Sequence, residues 1–304
     1  MSLPHIASRA LNAPLLIHPQ KAAAIAIGLG ARVTGSEIEF AGPVDSVAHV
    51  AFGNGRPSMG ILGDRLGRAF DRRAQKPYDM VGSVAVIPVE GTLVHKGAWV
   101  ESDSGETSYQ GLQTQVARAI ADPGVKGVVF EVDSFGGEVA GAFETAGMIH
   151  ALSQAKPTIA ILTDHAYSAG YLMASAARQI VIPETGGAGS IGVITMHVDM
   201  SAALEQRGMK VTILAAGEHK ADGNPYEPLP DDVAAKIRER LQAARQLFAD
   251  TVGKFRGKRF SSAAAMATEA RDYVGAEAVK AGLVDAMGSP LEAYQAFVST
   301  LNRA

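Results

Sequence analysis

Cysteine is absent from all 304 residues. That excludes disulfides, thiolate nucleophiles and cysteine metal ligands together, and it fits a reducing compartment. Long apolar runs are missing as well: none reaches the roughly 18 residues a bilayer span needs. The nearest candidate, "AAAIAIGLGA" at 22–31, is expected to form a small helix. It is too short to span, and His18 and Lys21 precede it rather than the basic N-terminus of a signal peptide. An excess of one charge is missing too. Lys and Arg number 28 against 31 Asp and Glu, a net charge of −3, so no global field draws nucleic acid or an anionic membrane. Neither partner is expected, nor is a membrane span.

What remains is a well-buried globular chain, with 47% hydrophobic and 19% charged residues. Its length suits about two domains or one large α/β domain. Residues 1–80 are weakly periodic and end in a Gly- and Arg-rich stretch. They read as an N-terminal extension with a mobile linker near 53–80. From 83 onward the pattern sharpens, and 81–304 reads as one domain. Strand runs are expected at 83–89, 127–132, 157–163, 179–183, 191–195 and 210–214, with a short strand-like piece at 282–285. Helical spacing marks 109–122, 138–154, 169–177, 200–208, 231–256 and 290–302. The Gly-rich 186–192 reads as a loop before a strand, and Asp231 or Asp232 as the cap of the long helix. Apolar strands alternating with helices predict an α/β fold with a mostly parallel sheet, flanking helices and a C-terminal helical segment.

Ligands of such sheets collect where strands hand over to helices. Two handovers carry unusual residues. In "FEVDSFGGEVAG", Gly136 and Gly137 allow close backbone approach and exposed N–H groups, which suits an oxyanion but equally an ordinary tight turn. No Lys follows, so neither this pair nor "GGAGSIG" at 186–192 is a phosphate loop. In "AILTDHAYSAGYLMA", Ser168 heads an apolar helix, either as an N-cap or as a nucleophile. A nucleophilic serine needs a base. His165 lies too close in sequence, whereas His197 with Asp199 or Asp222 could complete a Ser-His-Asp arrangement. Lys220, in the polar loop "GEHKADGNPYEPL", is a second choice, although such a lysine is ordinarily a solvated charge.

Four stretches, "VDSFGGEVAG", "AYSAGYLMAS", "GSIGVI" and "GEHKADGNPYEPL", resemble in order and spacing the signal peptide peptidase A family of serine-lysine peptidases. The resemblance covers roughly 83–290. It implies a ClpP/crotonase-like fold, Ser168 as nucleophile, Lys220 as general base, and Gly137 and Ala169 as oxyanion-hole donors. Gly136, Phe135 and Ser190 are the candidate substrate-binding residues. Ser-Ala-Gly stands here where many members read Ser-Gly-Gly, a change that leaves the backbone N–H in place. "LNAPLLIHPQKAAAI" is similar to the bacteriophage branch of capsid (prohead) maturation proteases. The implied partners are peptide or protein substrates such as capsid scaffold or portal proteins, and further copies of the chain in a ring. No cofactor or metal is implied. The implied location is the host cytoplasm or the phage procapsid. A host protease degrading signal peptides, an inactive crotonase-like assembly scaffold and an acyl-CoA crotonase are the competing readings.

A lysine base sets an energetic demand. Its ordinary pKa near ~10.4 must fall by about 2–3 units to act near neutrality, roughly 3–4 kcal/mol in favour of the neutral amine. Burial in an apolar pocket is the usual source.

Overall fold

The computed structural model describes residues 13–19, 22, 65–97, 99–100, 102–103 and 105–303. Its strands are β1 (Leu15–Ile17), β2 (Asp79–Val81), β3 (Val84–Val94), β4 (Ser102–Asp103), β5 (Glu106–Ser108), β6 (Gly127–Glu138), β7 (Thr158–Tyr167), β8 (Gln179–Ile182), β9 (Gly187–Gly189), β10 (Asp272–Val274) and β11 (Ala286–Met287). Its helices are α1 (Arg65–Arg72), α2 (Tyr109–Ala121), α3 (Ala142–Ala155), α4 (Ala169–Ser175), α5 (Ser201–Gln206), α6 (Asp231–Arg256), α7 (Ser262–Ala267), α8 (Ala276–Lys280) and α9 (Pro290–Arg303). All of these strands share one sheet, with a main path β10-β9-β7-β6-β3-β5-β4. Parallel pairing joins β3 to β5 and β6, β7 to β6, β8 and β9, and β8 to β11. β1, β2, β4 and β10 add on antiparallel.

The pairing follows from side-chain alternation. Val128, Phe130 and Val132 of β6 enter one core, while Val129 points to the other face. Ala160 and Leu162 of β7 oppose Ile159 and Ile161 in the same way. Helices cover both faces. Leu112 of α2, Ile149 of α3, Leu172 of α4 and Phe248 of α6 fill the larger core. Phe297 and Leu301 of α9 close the smaller one. A strand buried on both sides has no polar face, which is why these segments read as unbroken apolar runs. The result is the expected α/β architecture, a mostly parallel sheet with flanking helices and a C-terminal helical segment.

Several elements differ from their sequence reading. β6 and β7 run on to Glu138 and Tyr167, well past the expected ends. Residues 191–195 form no strand; only Ile194 makes a bridge, to Leu15. Residues 210–214 form none either and are exposed throughout. Their alternation is strand-like, but none of the described residues pairs with them to complete a ladder. The glycines at 187–189 instead form β9, between β7 and β10, and the last strand starts at 286 rather than 282. Pro230 holds the N-cap position of α6, leaving Asp231 and Asp232 in its first turn rather than capping it. Of the linker expected at 53–80, residues 53–64 lie outside the described residues. Residues 65–72 are α1, tied to α2 by an Asp71–Arg118 ion pair at 2.6 Å. The small helix expected at 22–31 lies outside the described residues except for Ala22. Among the described residues no helix is long and apolar enough to cross a membrane.

Candidate active site

The overrun of β6 and β7 builds the site. Each follows a register shift, between Val132 and Ser134 where β6 meets β7, and between Glu90 and Thr92 where β3 meets β6. Such irregularities re-aim the residues beyond them. Ser134 braces the turn: its buried hydroxyl donates to the Gly91 carbonyl at 2.6 Å and accepts from the Gly136 N–H at 3.1 Å. Gly136 then adopts φ +96°. A Cβ there would run into the Leu16 carbonyl oxygen and stand 3.0 Å from both the Ala169 nitrogen and the Ser168 Cβ. Only glycine fits, for space as well as for φ.

Across this gap β7 hands over to α4 through Ser168, whose φ of 53° and ψ of −119° lie outside the range of an ordinary cap. A capping serine normally sits in the β region and bonds an N–H of the first turn. Ser168 occupies the N-cap position but its side chain makes no such bond, so the capping reading of its hydroxyl is corrected. The backbone is held from both sides: Ser168 N–H donates to the Gly189 carbonyl at 2.9 Å, and its carbonyl accepts from Leu172 N–H at 3.0 Å. The residue is fully buried, and its Oγ has no hydrogen-bond partner among the described residues. A non-glycine residue in such a conformation costs about 1–3 kcal/mol, and a buried unsatisfied hydroxyl costs a similar ~1–3 kcal/mol. Both penalties fall on one residue at a sharp strand-to-helix turn, the geometry that presents a serine hydroxyl to a substrate.

The surroundings are aromatic. His18 stacks on Tyr167 at 4.8 Å and meets Phe135 edge-on at 5.7 Å; His165 stacks on the other side of Tyr167 at 5.1 Å. Burial, and then the nearby Asp272 and Asp164, push the Tyr167 hydroxyl up to about 12, so it stays protonated. Burial likewise lowers His18, opposed by Asp272 and reinforced by His165. Ser190 is buried beside the site with φ 55°, and its N–H donates to the Arg271 carbonyl at 2.9 Å.

Lys220 is not drawn into this pocket. It is exposed in the turn after 209–216, where its N–H donates to the Gly217 carbonyl at 3.1 Å, and no hydrogen bond joins it to Ser168. Asp222 and Gly223 of the same turn line a cleft of about 370 Å³ with Pro14, Thr195, His197 and Val233. His197 Nε2 meets the Asn224 carbonyl at 2.9 Å, Asp222 pairs with His219 at 3.1 Å, and Asp199 accepts from the Ser201 N–H at 2.9 Å. Among the described residues no histidine side chain reaches the Ser168 hydroxyl. Among the described residues no cluster of three His, Asp or Glu could hold a metal ion.

The model of Peptidase family S49 matches residues 150–302, half of the chain, from within α3 to the end of α9. This chain belongs to peptidase family S49. Capsid assembly protease C of Escherichia phage lambda is 38% identical over 96% of this chain and 64% of its own length. The head-tail preconnector protein GP5 of Enterobacteria phage P21 is 36% identical over 99% of this chain and 58% of its own length. The chain thus spans less than two thirds of either relative. A putative signal peptide peptidase SppA of Enterococcus faecium is 28% identical over 67% of the chain and 60% of its own length. Among solved structures, an enoyl-CoA hydratase from Bacillus halodurans aligns over 75% of this chain and 80% of that chain at a TM-score of 0.43 and 10% identity, too loosely to bear on chemistry.

Within this S49 chain, Ser168, Ala169, Gly136 and Phe135 converge, with Gly137 next along β6 and packed on Leu93 of β3. Ser134 and β1 were missed by sequence reasoning. Ser134 looks like any turn serine until the register shift beside it is known. "PLLIH" carried an aliphatic signal for a strand, but three residues are too few to predict one.

Proposed function

We propose that this chain is a serine endopeptidase with Ser168 as nucleophile and Lys220 as general base, acting on scaffold or portal proteins during phage or prophage head assembly. The strained, buried and unpartnered Ser168 opposite the Gly136–Gly137 backbone carries the reading. Ser168 Oγ attacks a peptide carbonyl while neutral Lys220 takes its proton. The N–H groups of Gly137 and Ala169 hold the oxyanion, the amine departs, and water releases the acyl-enzyme. The assembly role draws on the two phage relatives.

Lys220 must be desolvated to act as a base, yet it is exposed in one chain. Met209, Val211, Ile213 and Leu214 lead toward its turn with their side chains in solvent. A second copy packed on this stretch would bury them and cover the turn, so the working form is a homo-oligomer.

The purified chain is incubated with a fluorogenic peptide mixture and the neighbouring capsid proteins, with cleavage read by mass spectrometry. Ser168→Ala and Lys220→Met are expected to lose at least about a thousandfold in kcat, and His197→Ala to stay within about threefold of wild type. Activity of the wild type is expected to rise toward alkaline pH. A silent His197→Ala beside an active Lys220→Met would replace the dyad by a triad, and full activity of Ser168→Ala would remove the nucleophile.

A further inference from the structure

We propose that strand β1 is a built-in occupant of the peptide-binding groove over Ser168, and that the site accepts an extended aliphatic peptide only when this segment is displaced. The catalytic consequence rests on the reading of Ser168 as nucleophile; the occupancy of the groove does not.

β1 is held as an added strand is held, by main chain on both edges. On one side Leu15, Leu16 and Ile17 run antiparallel to Glu138, Gly137 and Gly136. His18 N–H continues that ladder to the Phe135 carbonyl at 2.8 Å. On the other side Leu15 exchanges both hydrogen bonds with Ile194, at 2.8 and 3.0 Å, and Thr195 Oγ1 donates to the Ala13 carbonyl at 3.0 Å. The side chains of Leu15, Leu16, Ile17 and His18 are all buried, so the groove is lined for aliphatic residues with an aromatic at its end.

The position of one carbonyl separates an occupant from an ordinary edge strand. Leu16 O lies over Gly136, at the point that also neighbours Ser168 Cβ and the Ala169 nitrogen. In an antiparallel ladder, bonded and non-bonded pairs alternate. With His18 bonded to Phe135, Leu16 and Gly137 form the next bonded pair, which directs the Gly137 N–H at the Leu16 carbonyl. The backbone of β1 therefore presents a peptide carbonyl to the Gly137 N–H, one of the two groups assigned to the oxyanion, over a glycine that faces the Ala169 nitrogen and a serine whose hydroxyl has no hydrogen-bond partner among the described residues. A substrate strand would need the same edges and the same point, so the two are mutually exclusive.

Two full-length forms test this. Leu15→Cys/Ile194→Cys joins residues that face each other in a bonded pair, at a spacing of about 5.5 Å that a disulfide can bridge; the chain has no other cysteine. Leu15→Pro/His18→Pro removes two of the N–H donors that tie β1 down, one on each edge. In a Ser168→Ala background, a fluorescein-labelled peptide of residues 13–18 is titrated by anisotropy. The released form is expected to bind it at least tenfold tighter than its parent, and the oxidised lock at least tenfold weaker than the same protein after reduction. With Ser168 present, a fluorophosphonate should label the released form at least tenfold faster and the lock slower, reversibly with reductant. Equal peptide affinities within both pairs overturn the proposal, as does a disulfide that fails to form under oxidation. If the proline form does not fold, the reversible lock decides alone. Ordered peptide affinities without labelling in any form uphold the occupied groove and remove the nucleophile; Ser168-dependent labelling with flat affinities does the reverse.

Discussion

Ser168 holds a conformation that its own side chain disfavours, and its hydroxyl gains no hydrogen bond in exchange. Conformations of this kind persist only where the surroundings over-determine them. Here the Gly189 carbonyl and the first turn of α4 fix the backbone, while Gly136 leaves room in front. Ser168→Gly removes both the strain and the hydroxyl. It is expected to abolish fluorophosphonate labelling while leaving the free energy of unfolding unchanged or up to about 1 kcal/mol higher. Urea denaturation checks this, and a loss of more than about 1 kcal/mol would show that the hydroxyl serves the fold. The serine, both glycines and the lysine were legible as residue types in ordered stretches. Their meaning was not, because a φ of +53° and an unpartnered oxygen are properties of backbone geometry. The exposure of Lys220 was equally hidden, since the loop holding it was expected to follow a strand that does not form.

At the scale of elements, the site depends on how firmly α6 and the strand tips are fixed. The guanidinium of Arg256, at the C-terminal end of α6, is fully buried and grips both oxygens of Asp285 at 2.9 Å. Arg259 adds a third contact at 3.0 Å, and Asp285 also accepts the Ile180 N–H of β8 at 2.8 Å. Burial pushes the Asp285 carboxyl up, but the bonds and charge of Arg256, with Ile180 and Arg259, outweigh it and hold it below the usual range. Asp285→Ala would strand a buried cation and is expected to cost about 3–5 kcal/mol, and Arg256→Met/Asp285→Ala should recover most of that loss. Denaturation midpoints read both; a single variant costing under ~1 kcal/mol would mean that Arg256 reaches solvent.

The docking of β1 carries its own pH dependence. His18 and, on α3, His150 are both lowered chiefly by burial, His150 with help from Lys254. Below their ordinary value of 6.5 the unfolded chain therefore binds more protons than the folded one. Stability is complete above that pH and falls as pH drops through it. The melting temperature should decline from pH 7 to pH 5, and His18→Phe should flatten part of that slope. An unchanged slope in that variant would show that β1 is not the acid-sensitive element. The helices at 109–122, 231–256 and 290–302 were legible in the sequence because their apolar spacing is local. The extra lengths of β6 and β7 were not, because bulges and strand partners set them, not the polarity of Gly136 or Thr163.

At the scale of the whole molecule, residues 209–214 form an exposed apolar stretch among the described residues. Leu214 is 93% exposed, with Met209, Val211 and Ile213 beside it and no strand partner among the described residues. An exposed apolar stretch of this kind marks a contact surface. If the chain associates through this surface as proposed, Val211→Asp/Leu214→Asp is expected to sediment as a monomer where the wild type does not, with catalytic activity falling in parallel. A monomeric wild type would remove this surface from the catalytic account.

Composition and local pattern by themselves determined the chemistry that was excluded, the α/β alternation, the long C-terminal helix and the short list of candidate residues. Those follow from side-chain type and near-neighbour spacing, which a linear chain carries explicitly. Only the tertiary structure decided that Ser168 is strained and unpartnered, that residues 210–214 lie outside the sheet, and that Leu15–Ile17 lies against Gly136–Glu138. Each of these depends on which backbone groups meet between segments apart in sequence, and hydrogen bonding between backbones is blind to side-chain identity.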